Sequence, residues 1–231
     1  MTKKIKTLIR RAAGVFCLGG MMLSAGLFTS CTEKDNTVEE FADWQSKNET
    51  YWNKLYTATQ QKIKSGDTSW KIILNYSYQN QKQTSGSALT YSPEDYIIAH
   101  VEQAGAGTTS PLYSDSVSMH YMGRLIPSTT YTSGLIFDKS WSNDTFNATT
   151  SRPAHSYLGL TYNAEGKPIS LVDGFTTALM SMHRGDHWTV YIPHQLGYGT
   201  SASGTVPAYS TLIFDLRLVD FSHPGTKLKD S

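Results

Sequence analysis

Val172, Phe175, Leu179 and Met182 fall at steps of three, four and three. That spacing gathers four apolar side chains on one face of a short helix, which His183-Arg184-Gly185 then stops. A helix of that length is not stable alone in water, so the stripe must be covered by a second layer. The surrounding sequence supplies strands. Trp188, Val190 and Ile192 alternate with less apolar residues, as do Leu212, Phe214, Leu216 and Leu218. Upstream, Val117, Met119 and Tyr121 alternate towards Gly123 with Leu125 in step, and Tyr96 to Val101 is a further strand candidate. The expected fold class is therefore α+β, a twisted sheet packed on one short helix over residues 93–221.

The segment before it differs in kind. From Val38 to Lys64, Phe41, Trp44, Tyr51, Trp52, Leu55, Tyr56 and Ile63 recur largely at steps of three and four among polar residues. An amphipathic helix is expected, ended by Gly66-Asp67. Its aromatic stripe has two destinations, its own domain or a second copy, which would make a homodimer through residues 38–64. Trp70 to Tyr78 alternates as an extra strand, and the Gln-, Asn- and Ser-rich stretch from Gln79 to Ala88 reads as an exposed loop. Residues 31–92 thus comprise a tether, a helix and an extra strand, and 222–231 a C-terminal tail.

Residues 1–30 carry Lys3, Lys4, Lys6, Arg10 and Arg11, no acid, and an apolar run from Ala12 to Leu27. The run is short for a membrane span and reads as an export signal. It ends in Leu27-Phe28-Thr29-Ser30-Cys31, similar to a bacterial lipoprotein cleavage box, with Cys31 as the lipid attachment residue. The expected location is the cell envelope, lipid-anchored to a bacterial membrane. Of the 20 Lys and Arg against 19 Asp and Glu, five bases sit in the signal, so the remainder is mildly acidic. A surface of that kind is a poor nucleic-acid binder.

Familiar catalytic patterns are weak. His183 and His187 are four apart, but Gly185-Asp186 between them breaks the helix that would put both on one face, so no metal is expected. Ser201 lies among glycines with no strand leading in and no helix leading out, unlike a nucleophile elbow. Gly105-Ala106-Gly107 lacks the lysine of a phosphate loop. No cofactor is implied. What stands out is aromatic material near turns, Tyr121, Phe137, Phe175, Tyr198 and Phe214, with one acid, Asp138, beside Phe137. Taken singly, each ring reads as core.

Together, six blocks in order resemble the FKBP-type peptidyl-prolyl cis/trans isomerases. They are Val117-Ser118-Met119-His120-Tyr121-Met122-Gly123, Ile136-Phe137-Asp138-Lys139-Ser140, Leu171-Val172-Asp173-Gly174-Phe175, Met182-His183-Arg184-Gly185-Asp186, the run Ile192 to Gly199, and Val206-Pro207-Ala208-Tyr209-Ser210-Thr211-Leu212-Ile213-Phe214. The resemblance implies a proline-binding cavity walled by Tyr121, Phe137, Leu171, Val172, Phe175, Val206 and Phe214. Tyr198 and Asp138 would stand at its edge, and Tyr198, Asp138 and Tyr121 would carry catalysis. It also implies proline-containing polypeptides as substrates and macrolides as inhibitors.

The sequence departs from the family pattern in three places. Phe175 stands where the family has Trp; Ala154 or Ser156 replaces a wall aromatic, with Tyr157 nearby; and Lys139 to Pro153 and Leu160 to Ser170 are longer than in the minimal domain. These departures keep a second expectation open, a non-catalytic peptide-binding chaperone or envelope adaptor using the same cavity.

Overall fold

The structure is a computed structural model describing residues 39–81 and 89–228. The expected export signal and Cys31 lie outside the described residues, as does most of the loop expected between Gln79 and Ala88. The described residues form one compact unit. Its centre is a seven-stranded antiparallel sheet. In chain order the strands are β1 (Trp70–Leu74), β2 (Tyr96–Gln103), β3 (Ser116–Arg124), β4 (Ile136–Lys139), β5 (Ala154–Tyr157), β8 (His187–Ile192) and β9 (Leu212–Ser222). Two short strands, β6 (Thr161–Tyr162) and β7 (Pro168–Ile169), pair only with each other. The sheet order is β1-β2-β8-β9-β3-β4, with β5 sharing the outer side of β3.

Helix α2 (Asp173–Ser181) covers one face of this sheet. Ala178 and Leu179 are fully buried against Ile97, Val190, Leu212 and Leu216, an apolar core from both layers. The approach is close because of one residue: a Cβ on Gly174 would lie 2.3 Å from Cγ2 of Ile192, so only glycine lets the first turn of α2 reach β8.

The alternation in Trp70 to Tyr78 produces a strand only as far as Leu74. Asn75 then turns the chain, its Oδ1 accepting the Ser77 N–H at 3.3 Å and its carbonyl accepting the Tyr78 N–H at 2.9 Å. A side chain that hydrogen-bonds its own backbone two residues on competes with the sheet ladder. Tyr76 and Tyr78, which look like strand residues in sequence, stack on Tyr113 and Tyr91. Leu125 lies just past the end of β3, buried, with its N–H on the carbonyl of Leu135.

Both long stretches have a place. Lys139 to Pro153 lays Phe146 over His120 and Arg217, 4.8 Å from the His120 ring and 4.5 Å from the guanidinium, with Trp141 edge-on behind it at 5.2 Å. Leu160 to Ser170 forms the β6–β7 hairpin, whose Asn163 Oδ1 accepts the N–H groups of Glu165 and Lys167.

Helix α1 (Trp44–Lys64) sends its stripe into its own domain. Trp44 and Trp52 are buried; Trp44 Nε1 donates to Ser210 Oγ at 2.8 Å, and Trp52 Nε1 to the Pro93 carbonyl at 3.3 Å. Asn48, equally buried, accepts the Thr211 N–H at 2.7 Å and donates to the Trp44 carbonyl at 2.8 Å. The helix and β1 therefore extend the sheet domain itself. Among the described residues no helix is long and apolar enough to cross a membrane.

Candidate active site

Four rings meet where β3, β4, β9 and α2 converge. Phe214 is at the centre, 4.8 Å from Phe175, 5.6 Å from Phe137 and 6.3 Å from Tyr121, each pair edge to face. Tyr121 also stands edge-on to Phe175 at 5.8 Å. Such T-shaped pairs set a positive ring edge against a negative face, which fixes ring orientations as well as burying area. The space they enclose, about 150 Å³, is completed by Leu171, Val172, Ser170, Asp138 and Tyr198.

The backbone explains why those rings can meet. Gly123 pairs with both Asp138 on β4 and Phe214 on β9. A Cβ at Gly123 would lie 2.5 Å from Phe137 Cζ and 2.7 Å from Phe214 Cε1, so the missing side chain is the space the two rings occupy. Tyr121 is held by Ser140 from both ends: its N–H donates to Ser140 Oγ at 3.0 Å and its carbonyl accepts the Ser140 N–H at 2.9 Å. Its hydroxyl then donates to Asp138 Oδ2 at 2.8 Å. Burial, the Asp138 bond and the Asp138 charge, in that order, push the Tyr121 phenol well above its ordinary value.

Tyr198 occupies the loop that follows a short 3-10 turn, His194–Leu196. It is 40% exposed, and burial followed by the negative charge of Asp138 raises its phenol as well. Both tyrosines therefore stay protonated donors at neutral pH. Tyr121 has already committed its proton to Asp138, which leaves Tyr198 as the hydroxyl at the mouth. Val172 is the N-cap of α2: its carbonyl accepts the N–H groups of Phe175 and Thr176, while its own amide precedes the helix ladder.

Of the residues singled out in sequence, Tyr121, Phe137, Asp138, Leu171, Val172, Phe175, Tyr198 and Phe214 all line this one hollow. Val206 is buried in the core and is not part of the lining. Ser170, Gly123 and Ser140 were missed. Gly123 had a signal, a glycine inside an alternating strand, which marks close approach of other atoms; Ser140 had none. Ala154, Ser156 and Tyr157 of β5 are also absent from the lining. Among the described residues no three His, Cys, Asp or Glu are grouped to hold a metal ion.

Residues 107–219 match the family model described as FKBP-type peptidyl-prolyl cis-trans isomerase. That match covers just under half of the chain. Similar curated proteins include a macrophage infectivity potentiator of Trypanosoma cruzi, 33% identical over 149 residues, which are 64% of this chain and 63% of that protein. Another is the peptidyl-prolyl cis-trans isomerase Mip of Coxiella burnetii, 33% identical over 120 residues, 52% of this chain and 42% of that protein. Among solved structures, a peptidyl-prolyl cis-trans isomerase from Pseudomonas syringae pv. tomato is 19% identical with a TM-score of 0.48, covering 81% of this chain and 99% of that one. The chain thus spans less than two thirds of the length of the curated relatives it matches.

Proposed function

We propose that this protein is a peptidyl-prolyl cis/trans isomerase that assists the folding of exported proteins, with the four-ring cavity as its catalytic site. The observation that carries the proposal is the convergence of Phe137, Phe175, Phe214 and Tyr121 on one small hollow with Tyr198 and Asp138 at its mouth.

The chemistry asks little of reactive groups. Rotation about an X-Pro bond is slow because it breaks amide resonance, against a barrier of about 18–20 kcal/mol, and no bond is cleaved. The planar amide is the more dipolar state and the better hydrated; the twisted state loses that charge separation. An aromatic cavity withdraws the amide from water and so favours the twisted state, the differential stabilisation that catalysis requires. The rings grip the proline while the Tyr198 hydroxyl and the Val172 amide hold carbonyls on either side, fixing one part of the peptide as the other turns. Asp138 orients Tyr121 and sets a negative charge at the rim. Every ~1.4 kcal/mol of such selective stabilisation is worth about tenfold in rate.

Acceleration of cis/trans isomerisation in a proline tetrapeptide by the purified protein tests the proposal. Identical rates with and without protein would reject it and leave the cavity as a peptide-binding adaptor site. A macrolide titration in the same assay tests the expectation that this cavity also takes the family's inhibitors. The basic start, apolar run and Cys31 support an envelope location with a lipid anchor; labelling with a radioactive fatty acid, lost in Cys31→Ser, would establish it.

A further inference from the structure

A second, larger hollow of about 610 Å³ opens where the sheet extends past the end of α2. Its walls join two sources. Thr68, Ser69, Lys71 and Ile73 come from β1 and the turn before it, whereas Ser181, His183 and Trp188 come from the part of the chain that matches the family model. Lys71 pairs with Ala99 and Val101 with Trp188 across the sheet, which brings the lysine and the indole to neighbouring strands on either side of β2. The Lys71 ammonium stands 6.0 Å from the centre of the Trp188 ring.

The chemistry of these walls is asymmetric. Ile73, Val101 and the Trp188 ring are apolar, while Thr68, Ser69 and Ser181 bring hydroxyls, Lys71 an ammonium and His183 an imidazole. Trp188 is 2% exposed, and its indole N–H is buried with no hydrogen-bond acceptor, a state that carries a free-energy cost in any fold. Among the described residues no carboxylate lies within ion-pair distance of Lys71. The one acid in the lining, Asp186, is already used: Oδ1 accepts the Gly105 N–H at 2.6 Å and Oδ2 the His183 N–H at 2.8 Å. It pairs with neither the lysine nor the indole, and its Oδ2 stands 3.8 Å from His183 Nδ1.

We propose that this hollow is a second binding site, separate from the aromatic cavity, for a small apolar carboxylate. The acyl chain would lie on Ile73, Val101 and the Trp188 ring. The carboxylate would take Lys71 as counter-ion, beside the hydroxyls of Thr68 and Ser69. A cation beside an apolar wall selects a negative charge on an apolar body. The site exists only because β1 widens the sheet beyond the reach of α2.

Calorimetric titration of the full chain with octanoate, octanol and octylamine tests this, read beside the indole N–H signals of the nuclear magnetic resonance spectrum. Octanoate should saturate a single site and shift the indole signal that is missing from Trp188→Phe. Octanol and octylamine should bind about tenfold more weakly or not at all, and Lys71→Met should weaken octanoate by about five- to tenfold while Lys71→Arg largely restores it. Lys71 is exposed, so these variants leave the core intact. Octanol binding as tightly as octanoate, no saturation, or no response to Lys71→Met would each overturn the proposal. So would octanoate binding that is lost in Phe137→Ala and kept in Lys71→Met, since the ligand would then occupy the aromatic cavity.

Discussion

The two hollows of this domain differ in the opposite sense to their sizes. The larger, about 610 Å³, is bounded by hydroxyls, a lysine and a histidine beside its apolar wall; the smaller, about 150 Å³, is built round four interlocked rings. Rotating an amide, the proposed activity, needs a dry, stiff grip on one five-membered ring, and four interlocked rings suit that better than a roomy hollow edged by hydroxyls. The origin of the walls differs too. The aromatic cavity belongs wholly to the family domain, and the larger hollow needs the strand added before it.

If the small cavity is the seat of activity, the largest effect should come from its central ring. Phe214→Ala removes the contact shared by Phe137, Phe175 and Tyr121 and should cost about 3–5 kcal/mol in denaturant unfolding together with isomerase activity. Full activity in a folded Phe214→Ala protein would dismantle the comparison.

Gly123→Ala probes the same place by filling it. The new methyl collides with the rings of Phe137 and Phe214, so about 1–3 kcal/mol of stability and most of the turnover should be lost. Octanoate binding at the larger hollow should persist, and a parallel fall there would mean the two are coupled.

Asn48→Ala strips the Thr211 N–H of its buried acceptor and should cost about 1–3 kcal/mol. Because Trp44 and Asn48 brace the end of the loop that begins at Tyr198, KM in the tetrapeptide assay should rise more than kcat falls. An unchanged KM would confine α1 to a purely structural part.

A smaller change is expected from Tyr121→Phe, which deletes the bond to Asp138. It should lower stability by about 0.5–1.5 kcal/mol and activity severalfold, without disturbing octanoate binding.

The smallest effect lies at the surface. Ser128 and Thr130 donate to Glu40 and hold its carboxyl at about 2, below its ordinary value of 4.5. A carboxylate depressed in the folded state stabilises the fold above its unfolded value and loses that contribution as pH falls from about 4.5 towards 2. Denaturant midpoints measured between pH 6 and pH 3 should fall less steeply in Glu40→Gln than in the parent. Equal slopes would show that these bonds are absent in solution.

Much of the site was readable before any coordinates because its residues sit in short ordered blocks, and β pairing brings such blocks together in a fixed register. Phe137 and Phe214 reach each other because β4 and β9 flank β3. Val206, expected among the walls, lies in the core away from the lining; its only strand pairing is an isolated bridge to Ser203, so the register of the main sheet does not reach it. Ser140 escaped notice for a related reason: its bond to Tyr121 depends on the chain leaving β4 at one residue and no other.

Periodicity alone determined that this chain has one apolar-faced short helix among alternating strands and an amphipathic aromatic helix ahead of them, since both patterns are local and follow from 3.6 and two residues per repeat. It left open where the aromatic stripe goes, because an apolar face is satisfied equally by its own domain or by another copy. Tertiary structure decided that by placing Ser210, Thr211 and the Pro93 carbonyl opposite Trp44, Asn48 and Trp52. It also decided that Tyr76 and Tyr78 leave the sheet at Asn75, and that β1 and the end of α2 leave a hollow between them. Those outcomes depend on residues far apart in the chain meeting at hydrogen-bond distance, and no local spacing encodes them.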